Sequence, residues 1–479
     1  MRILRQLGIS IALALIALVA HAAEDPAAGV SAPEAATAET DEPDAINALV
    51  APTTQPDASV GIANDATRDL ISVAAHEIET GEYADAEIQL ARLVGQLEQQ
   101  SSHYDPSLVV PLTLLGDALS GEAKYQEAMY AYEQADHITR ITDGLHSTDQ
   151  VEIVYREANT LASMGKIDKA NDRQEYAYET LAREYGAFAP GLVPGLFHLA
   201  AWYDRTSNIF AARGLYEHAV RILSATYGDN DPSLIPALRG LAYTYREEHF
   251  PPYRVSESTF TNGASAGSTV PTLSDTMAMV TRFDAGEAAL RDVVKITEAN
   301  PNAKPIDLAR AELDLADWCV LFDRQARAVP VYVQARHVMR DRAGLNDDEI
   351  AVYFGAPMLL YLPVPANPPK PTLALRGSST DGYVELGYTV TEQGVVNELK
   401  TLASEPAGLM DTKIRHSMHV ARFRPRFVGD SPVASPNQVY RHAFVYYPHS
   451  APPSAAAERR EEASKAGTPG VNAAAQPSG

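Results

Sequence analysis

The feature that most constrains the fold is a regular period in the sequence. The tetrapeptide DPSL begins at Asp105 and returns at Asp231, and the related APGL begins at Ala189. The prolines of these tetrapeptides stand at 106, 190 and 232, so the second spacing is half the first and the period is about 42 residues. Because Asp is a favourable N-cap and Pro fits the first turn of a helix, each Asp-Pro predicts a helix start. Regularly spaced helix starts predict stacked helical units.

Small residues keep the same positions in successive windows of this length. Two packed helices need a small side chain wherever their backbones approach closely, so these positions predict the contacts within each helix pair. Larger apolar residues recur between them, and Gln174 is the one polar exception. The predicted packing residues are Gly116, Ala128, Ala135, Ala158, Ala170, Ala177, Ala200, Ala212, Ala219, Ala316, Ala328 and Ala335.

The order of these residues within one unit suggests a family. From Gly116, small residues follow at Ala128 and Ala135, with the aromatic Tyr132 between them. This spacing resembles the tetratricopeptide repeat (TPR), whose usual unit is about 34 residues, so the units here resemble a variety with longer helices. HEAT-like repeats share the period but lack this pattern of small residues. The resemblance implies a mainly α fold, an α-solenoid of about six units over residues 65–341, with a concave surface that binds other proteins.

The fifth unit is interrupted by an insert near residues 249–280. Ala242 keeps the register, but the pattern resumes at Phe283 with a shift of 32 residues. The inserted text is rich in Ser, Thr, Gly and Pro and predicts a flexible loop between the two helices of that unit. It contains GASAG, which places Ser265 in a Gly-x-Ser-x-Gly motif. A nucleophile elbow requires a strand before the serine, and no strand pattern precedes it, so a serine hydrolase is an unfavoured alternative.

Both ends of the chain differ in composition from the middle. Residues 1–22 carry basic residues, an apolar run and then small residues, which is the pattern of a secretory signal peptide cleaved near Ala22. An uncleaved anchor is the alternative, although the run is short for a membrane span of about 20 residues. Residues 23–64 predict a disordered acidic tether and 448–479 a disordered tail. We therefore expect an exported protein in the periplasm of a Gram-negative bacterium, or at the inner membrane if the leader is retained.

After Asp341 the helical pattern is expected to end. Residues 342–377 contain PVPANPPKP and predict a stiff proline-rich linker. Over 378–447, GYVELGYTV alternates as a strand does, a second strand follows the turn at Gly394, Asp411 can cap a short helix, and VYRHAFVYY predicts a final strand. The sequence therefore predicts a small α+β domain at this end.

This small domain resembles the C-terminal domain of the TonB family. The matching marks are Gly382, Gly394, Phe423-Arg424-Pro425 and Gly429. The resemblance implies a sheet edge that accepts an extended peptide as an added strand. In RFRPRF, Phe423 and Phe427 are expected to pack under the sheet. Arg422, Arg424 and Arg426 are then expected on the other side, as a basic edge that binds a partner.

TonB proteins also couple an inner-membrane motor to outer-membrane transport, which the resemblance offers as an alternative function. That role requires an anchor with a Ser-x-x-x-His pattern, and here Ser10 and His21 stand eleven residues apart. The proline-rich stretch is also too short to cross a periplasm. An anchored energy-transduction component is therefore an alternative rather than the main prediction.

Composition narrows the remaining classes of function. A formal net charge of −23 argues against nucleic-acid binding, because the chain repels phosphates. The single cysteine, Cys319, stands between Trp318 and Val320 and predicts a buried apolar position. No motif predicts a metal or a cofactor. The sequence thus predicts a non-enzymatic scaffold or adaptor of the cell envelope, which binds envelope proteins or peptides through the solenoid groove and the sheet edge.

Overall fold

The structure is a computed structural model, and it describes residues 65–250, 273–368 and 379–447. The predicted signal peptide with Ala22, the acidic tether, Ser265 with most of the insert, and the C-terminal tail lie outside the described residues. Among the helices in the described ranges, none has both the length and the apolar composition needed to cross a membrane.

Helix pairs follow one another along most of the chain, and we number them as units one to six. In each unit a first helix packs against a second helix. The mainly helical, TPR-like architecture predicted from the period is confirmed. The units are α1 (Asp65–Thr80) with α2 (Tyr83–Gln100), α3 (Val109–Gly121) with α4 (Tyr125–Thr142), α5 (Val151–Ser163) with α6 (Ile167–Tyr185), α7 (Val193–Arg205) with α8 (Ile209–Tyr227), α9 (Ile235–His249) with α10 (Leu273–Ala299), and α11 (Pro305–Leu321) with α12 (Gln325–His337).

Local sequence explains where a first helix begins. The carboxylates of Asp105 and Asp231 accept hydrogen bonds of 2.9 Å from the backbone amides of Ser107 and Ser233. Each aspartate precedes a three-residue 3-10 turn that leads directly into α3 or α9. Ser147 caps the corresponding turn before α5. The DPSL tetrapeptide therefore marks the boundary between units, one short turn before the α-helix.

The predicted packing residues all lie in the interior, where the helices meet. At Gly116 an added Cβ atom would overlap the ring of Tyr132 on α4, so the close approach of these helices requires glycine. Tyr216 and Tyr332 occupy the same register as Tyr132, and all three rings are buried. Gln174 takes this place in unit three and is fully buried as well. Cys319 is buried, as its neighbours predicted.

The repeat continues into the segment predicted to be a linker. After α12 the chain makes a π-helical turn, Val338–Arg342, and then forms α13, Asp347–Phe354. Ile350 lies where four earlier units have leucine, and Phe354 lies where unit two has Leu112. Ile350 and Phe354 are both buried. Helix α13 is therefore the beginning of a seventh first helix.

This truncated helix corrects the prediction for residues 342–377. It ends at Phe354 and Pro357 follows, a residue that cannot continue a helix. Strand β1, Met358–Tyr361, comes next. A linker was the wrong prediction for 342–361, because these residues cover an apolar face that unit six would otherwise expose. The proline-rich text begins only after them, and residues 369–378 lie outside the described ranges.

The C-terminal domain contains the elements that the alternating pattern predicted. Strand β2 (Thr380–Val390) is the middle of an antiparallel three-stranded sheet, between β3 (Val396–Glu405) and β7 (Ser435–Tyr446). Helix α14 (Asp411–Val420) packs on this sheet. Asp411 is the first residue of the helix rather than its cap. The sheet and α14 enclose a separate small core, which includes Val384, Leu386, Val390, Ile414, Met418 and Phe423.

The RFRPRF stretch is divided at Pro425 between two small sheets. Strand β4 (Arg422–Arg424) pairs with β1, and β5 (Arg426–Val428) pairs with β6 (Ser431–Val433). Phe423 lies in the core of the C-terminal domain, as expected. The expectation is wrong for Phe427, because this ring packs in the core of the solenoid.

Candidate partner-binding surfaces

The first helices form the inner side of the stack. Helix α1 contacts α3, and α3 contacts α5. Ion pairs also join first helices of neighbouring units: Arg156 to Asp117 at 3.1 Å, and Arg239 to Asp314 at 2.9 Å. Such contacts place these helices on the concave side of the solenoid.

Units two to four present an aromatic stack and uncharged polar groups on this side, next to the Arg156–Asp117 ion pair. Tyr155 of α5 and His198 of α7 stack with ring centroids 3.5 Å apart. Burial, with a further contribution from Arg205, lowers the pKa of His198 to about 4, so its imidazole is neutral at pH 7. Asn159 is exposed beside them on α5. We call Thr113, Tyr155, Asn159 and His198 the inner surface; an aromatic stack, an amide and a hydroxyl can pack against and hydrogen-bond a peptide backbone.

A three-residue polar contact fixes the junction of units two and three. The hydroxyl of Tyr132 donates to Asp117 at 2.7 Å, and Nε of Arg156 donates to the same carboxylate at 3.1 Å. Asp117 and Tyr132 belong to unit two, whereas Arg156 is supplied by the first helix of unit three. The next unit thus provides the cation that pairs with the half-buried carboxylate of Asp117.

The same contact recurs in unit six, but with a different source of arginine. Tyr332 donates to Asp317 at 2.6 Å, as Tyr132 does to Asp117. The cation is now Arg424 of β4, whose Nε donates to Asp317 at 2.9 Å. The C-terminal domain therefore supplies to unit six what unit three supplies to unit two.

Arg424 is enclosed at this junction and is not available to a partner. Its side chain is 6% exposed, and it also donates to the backbone carbonyl of Tyr353. Burial opposes the charged guanidinium, but Asp317 outweighs that effect and raises the pKa of Arg424 above its usual range. The expectation that Arg424 forms part of an exposed basic edge is wrong, because its charge neutralises a carboxylate of the solenoid.

The neighbouring basic residues also face the solenoid or lie beside it. Arg422 donates to both carboxylate oxygens of Asp323, at 2.9 and 3.2 Å. The predicted role of Arg422 in binding an external partner therefore needs the same correction. Arg426 is half-buried, and it is the one of the three for which an external role remains a prediction.

Apolar contacts extend the junction around this ion pair. The ring of Phe427 lies 5.4 Å from Tyr332 and 5.3 Å from Phe354. On unit five, Arg246 donates to the carbonyl of Leu360 in β1, and Phe250 contacts Tyr361 at 4.9 Å. We call all these contacts of β1, β4 and β5 with units five and six the terminal interface. It covers the end of the solenoid that a further repeat would otherwise cover.

The sequence contained a signal for the terminal interface. Asp317 and Tyr332 lie the same number of residues after Asp117 and Tyr132. The residue at the same distance after Arg156 is Ala356, so the repeat itself supplies no arginine to unit six. A half-buried aspartate without the arginine of the next unit indicates that some other segment supplies the cation. The period alone did not indicate which segment does so.

Unit six also carries a buried carboxylate where other units are apolar. Glu312 occupies the position of Leu112 and is 1% exposed. Burial raises the pKa of Glu312 to about 7, and Gln334 and Arg342 offset only part of this effect while Glu298 adds to it. At neutral and higher pH the buried charge of Glu312 therefore lowers the free energy of unfolding.

We expect Glu312→Leu to raise the free energy of unfolding at pH 8 by about 3 kcal/mol, and the gain to shrink toward pH 5. The native carboxyl takes up its proton near pH 7, whereas the unfolded carboxyl does so near 4.5. Lowering the pH between these values therefore restores stability to the unsubstituted protein. Urea titrations of both proteins at several pH values measure the difference. A gain of the same size at every pH would contradict a buried charge at Glu312.

Comparison with known proteins gives a distant likeness only. No protein-family model matches the chain, and no curated protein matches it. BtubC (BKLC) from P. vanneervenii is 14% identical with a TM-score of 0.35, covering 59% of this chain and 94% of BtubC. TPR-like repeats of a kinesin light chain from Podosopora anserina are 18% identical with a TM-score of 0.37, covering 50% and 98%. PilW, a type IV pilus biogenesis factor, is 11% identical with a TM-score of 0.31, covering 61% and 100%.

The fold and its contacts define the class of protein. Repeated helix pairs, small residues at the helix contacts and a concave side of first helices make this chain a TPR-like helical-repeat solenoid. A small α+β domain is docked on its last unit.

Proposed function

We propose that this chain is a protein-binding scaffold of the cell envelope, exported to the periplasm. In this proposal the inner surface of units two to four binds a segment of a partner protein. One observation carries the proposal: the C-terminal domain covers the solenoid at units five and six, while Asn159 remains exposed on the concave side. The free part of the groove is then the part that contains the inner surface.

The chemistry of the inner surface suits an extended polypeptide better than a charged small molecule. Asn159 can donate and accept one hydrogen bond each with a backbone amide, as two paired strands do. The Tyr155–His198 stack offers an apolar wall for a side chain of the partner. Binding by such groups is non-covalent, so the proposal includes no catalytic step.

In this proposal the C-terminal domain still resembles the TonB family. Its binding element differs from the basic edge that the sequence predicted. Arg422 and Arg424 pair with carboxylates of the solenoid and cannot bind an external partner. The proposed binding element of this domain is therefore the outer edge of β3 instead of the basic edge. Among the described residues, β3 pairs with β2 alone and Leu402 is exposed on it. An unpaired edge strand can receive a strand from a second partner. An envelope adaptor with two binding elements follows from this arrangement.

Affinity capture from envelope extracts tests the proposed groove. We expect Asn159→Trp to lose most of the captured partner, because a bulky ring on α5 would fill the space above the Tyr155–His198 stack. Lys169→Trp is the matched control, since Lys169 is exposed on α6, the second helix of the same unit. Equal capture by both variants and by the unsubstituted protein would remove the groove from the proposal.

The proposed location has its own test. The mature protein is expected to begin near Ala23, because the leader has the order of a signal peptide. Mass spectrometry of the N-terminus of protein recovered from a Gram-negative host measures this directly. A mature chain that retains residue 1 would favour an anchored protein instead.

A further inference from the structure

Among the described residues, the two ends of the solenoid differ in how far their apolar faces are covered. At the C-terminal end, α13 and the terminal interface cover unit six. At the N-terminal end, unit one presents the first-helix face that other units bury beneath the unit before them. Leu70 and Val73 are 43% and 48% exposed there, and Ala66 beside them is exposed as well.

The register shows that this face is built to be covered. The position of Leu70 is filled by Leu112, Val154, Leu196, Leu238, Glu312 and Phe354 in the later units, and every one of these residues is buried. The position of Ala66 is filled by Leu108, Gln150, Leu192, Leu234, Leu308 and Ile350, and these are buried too. Terminal units of a solenoid usually replace such residues with polar ones to remain soluble. Leu70 and Val73 depart from that rule.

We propose that residues 44–51 of this chain, DAINALVA, bind to α1 and cover Leu70 and Val73. Ile46, Leu49 and Val50 have the i, i+3, i+4 spacing that places three side chains on one face of a helix. Pro43 stands at a favourable position just before the segment, and Pro52 ends it. The segment would cover the face of α1 that a preceding unit covers on the later first helices.

The connection between the segment and α1 is long enough for this contact. Residues 52–64 separate them, which is 13 residues by the numbering. At roughly 3.3 Å per extended residue they reach about 43 Å. Helix α1 has 16 residues and is about 24 Å long. The segment can therefore reach any point along the exposed face.

The size of the face favours an occupant from the same chain over a second copy. Specific association of two proteins buries about 1,200 to 2,000 Å² in total. Ala66, Leu70 and Val73 are three side chains on one helix, whereas such an interface takes about 20 to 30 residues from each partner. A segment on a short connection has an effective concentration of about a millimolar, so a weak contact suffices to keep it bound.

Thiol labelling of the full-length chain tests the proposal. Cys319 is buried, and burial raises the pKa of its thiol to about 11, so an introduced cysteine is the reactive one. In Val73→Cys we expect labelling by a maleimide to be about tenfold slower than in Val73→Cys carrying Ile46→Ser and Leu49→Ser. Val60→Ser with Ile62→Ser is the matched control in the same part of the chain, and it should leave the slow rate unchanged.

Ile88→Cys provides the reference for an open position. Ile88 is 57% exposed and lies in the register of Tyr130, which is exposed in unit two as well, so its exposure does not depend on the end of the solenoid. If Val73→Cys reacts as fast as Ile88→Cys in the otherwise unchanged chain, the proposal is wrong. Protection of Val73→Cys that increases with protein concentration would also overturn it, because a second copy would then be the occupant.

Discussion

Replacing Arg424 with alanine is expected to lower the free energy of unfolding by about 3 to 5 kcal/mol. The substitution leaves the Asp317 carboxylate inside the terminal interface without its cation. Among the residues that the structure describes, Tyr332 is then the side chain that still donates a hydrogen bond to it. Urea titration followed by tryptophan fluorescence suits this measurement, because Trp318 adjoins Asp317 and is one of two tryptophans in the chain.

Arg426→Ala is the matched control for this prediction. Arg426 lies two residues further along the same RFRPRF stretch and is half-buried, but it lies on β5 rather than β4. Its removal should change the free energy of unfolding by about 1 kcal/mol or less. Equal losses in the two variants would show that Arg424 contributes through its aliphatic stem alone and would argue against the ion pair.

The second large effect is expected at the helix contact of unit two. Gly116→Val should cost about 3 kcal/mol, because its Cβ atom would overlap the ring of Tyr132 and two further methyl groups would be added to a filled space. Displacing that ring also breaks its hydrogen bond to Asp117, which in turn binds Arg156 of the next unit. The junction of units two and three should therefore open before the rest of the solenoid.

Gly214→Val separates this packing effect from the general effect of replacing a helical glycine. Gly214 lies in α8, and a Cβ atom added there would meet no atom within 4 Å. We expect this variant to remain within about 0.5 kcal/mol of the unsubstituted protein. Hydrogen exchange at α3 to α5 measures the local opening in both variants. Equal exchange in the two would contradict a specific role for Gly116.

The solenoid could be predicted from sequence because its contacts are periodic. Each unit repeats the positions of Gly116, Ala128 and Ala135, so local patterns alone indicated which faces meet. Helix α13 was missed because Pro357 and the prolines after it suggested a linker. The register of Ile350 with Leu108 was the stronger signal, since it reports a buried position directly.

The terminal interface could not be predicted in the same way. Asp317 and Arg424 are 107 residues apart in sequence and belong to elements with different periods. The alternation of RFRPRF predicted that the arginines share a side, and it carried no information on what that side faces. The aromatic residues show the same limit: Phe423 and Phe427 both pack inward, but into the cores of two different parts of the chain.

Docking of the C-terminal domain in place of a seventh unit is the central claim, and a double-mutant cycle between Arg424 and Asp317 tests it most directly. We expect Arg424→Ala and Asp317→Ala to be coupled by at least about 2 kcal/mol, so that the double variant loses clearly less stability than the sum of the two single losses. Additive losses, with no coupling between the two positions, would contradict the claim.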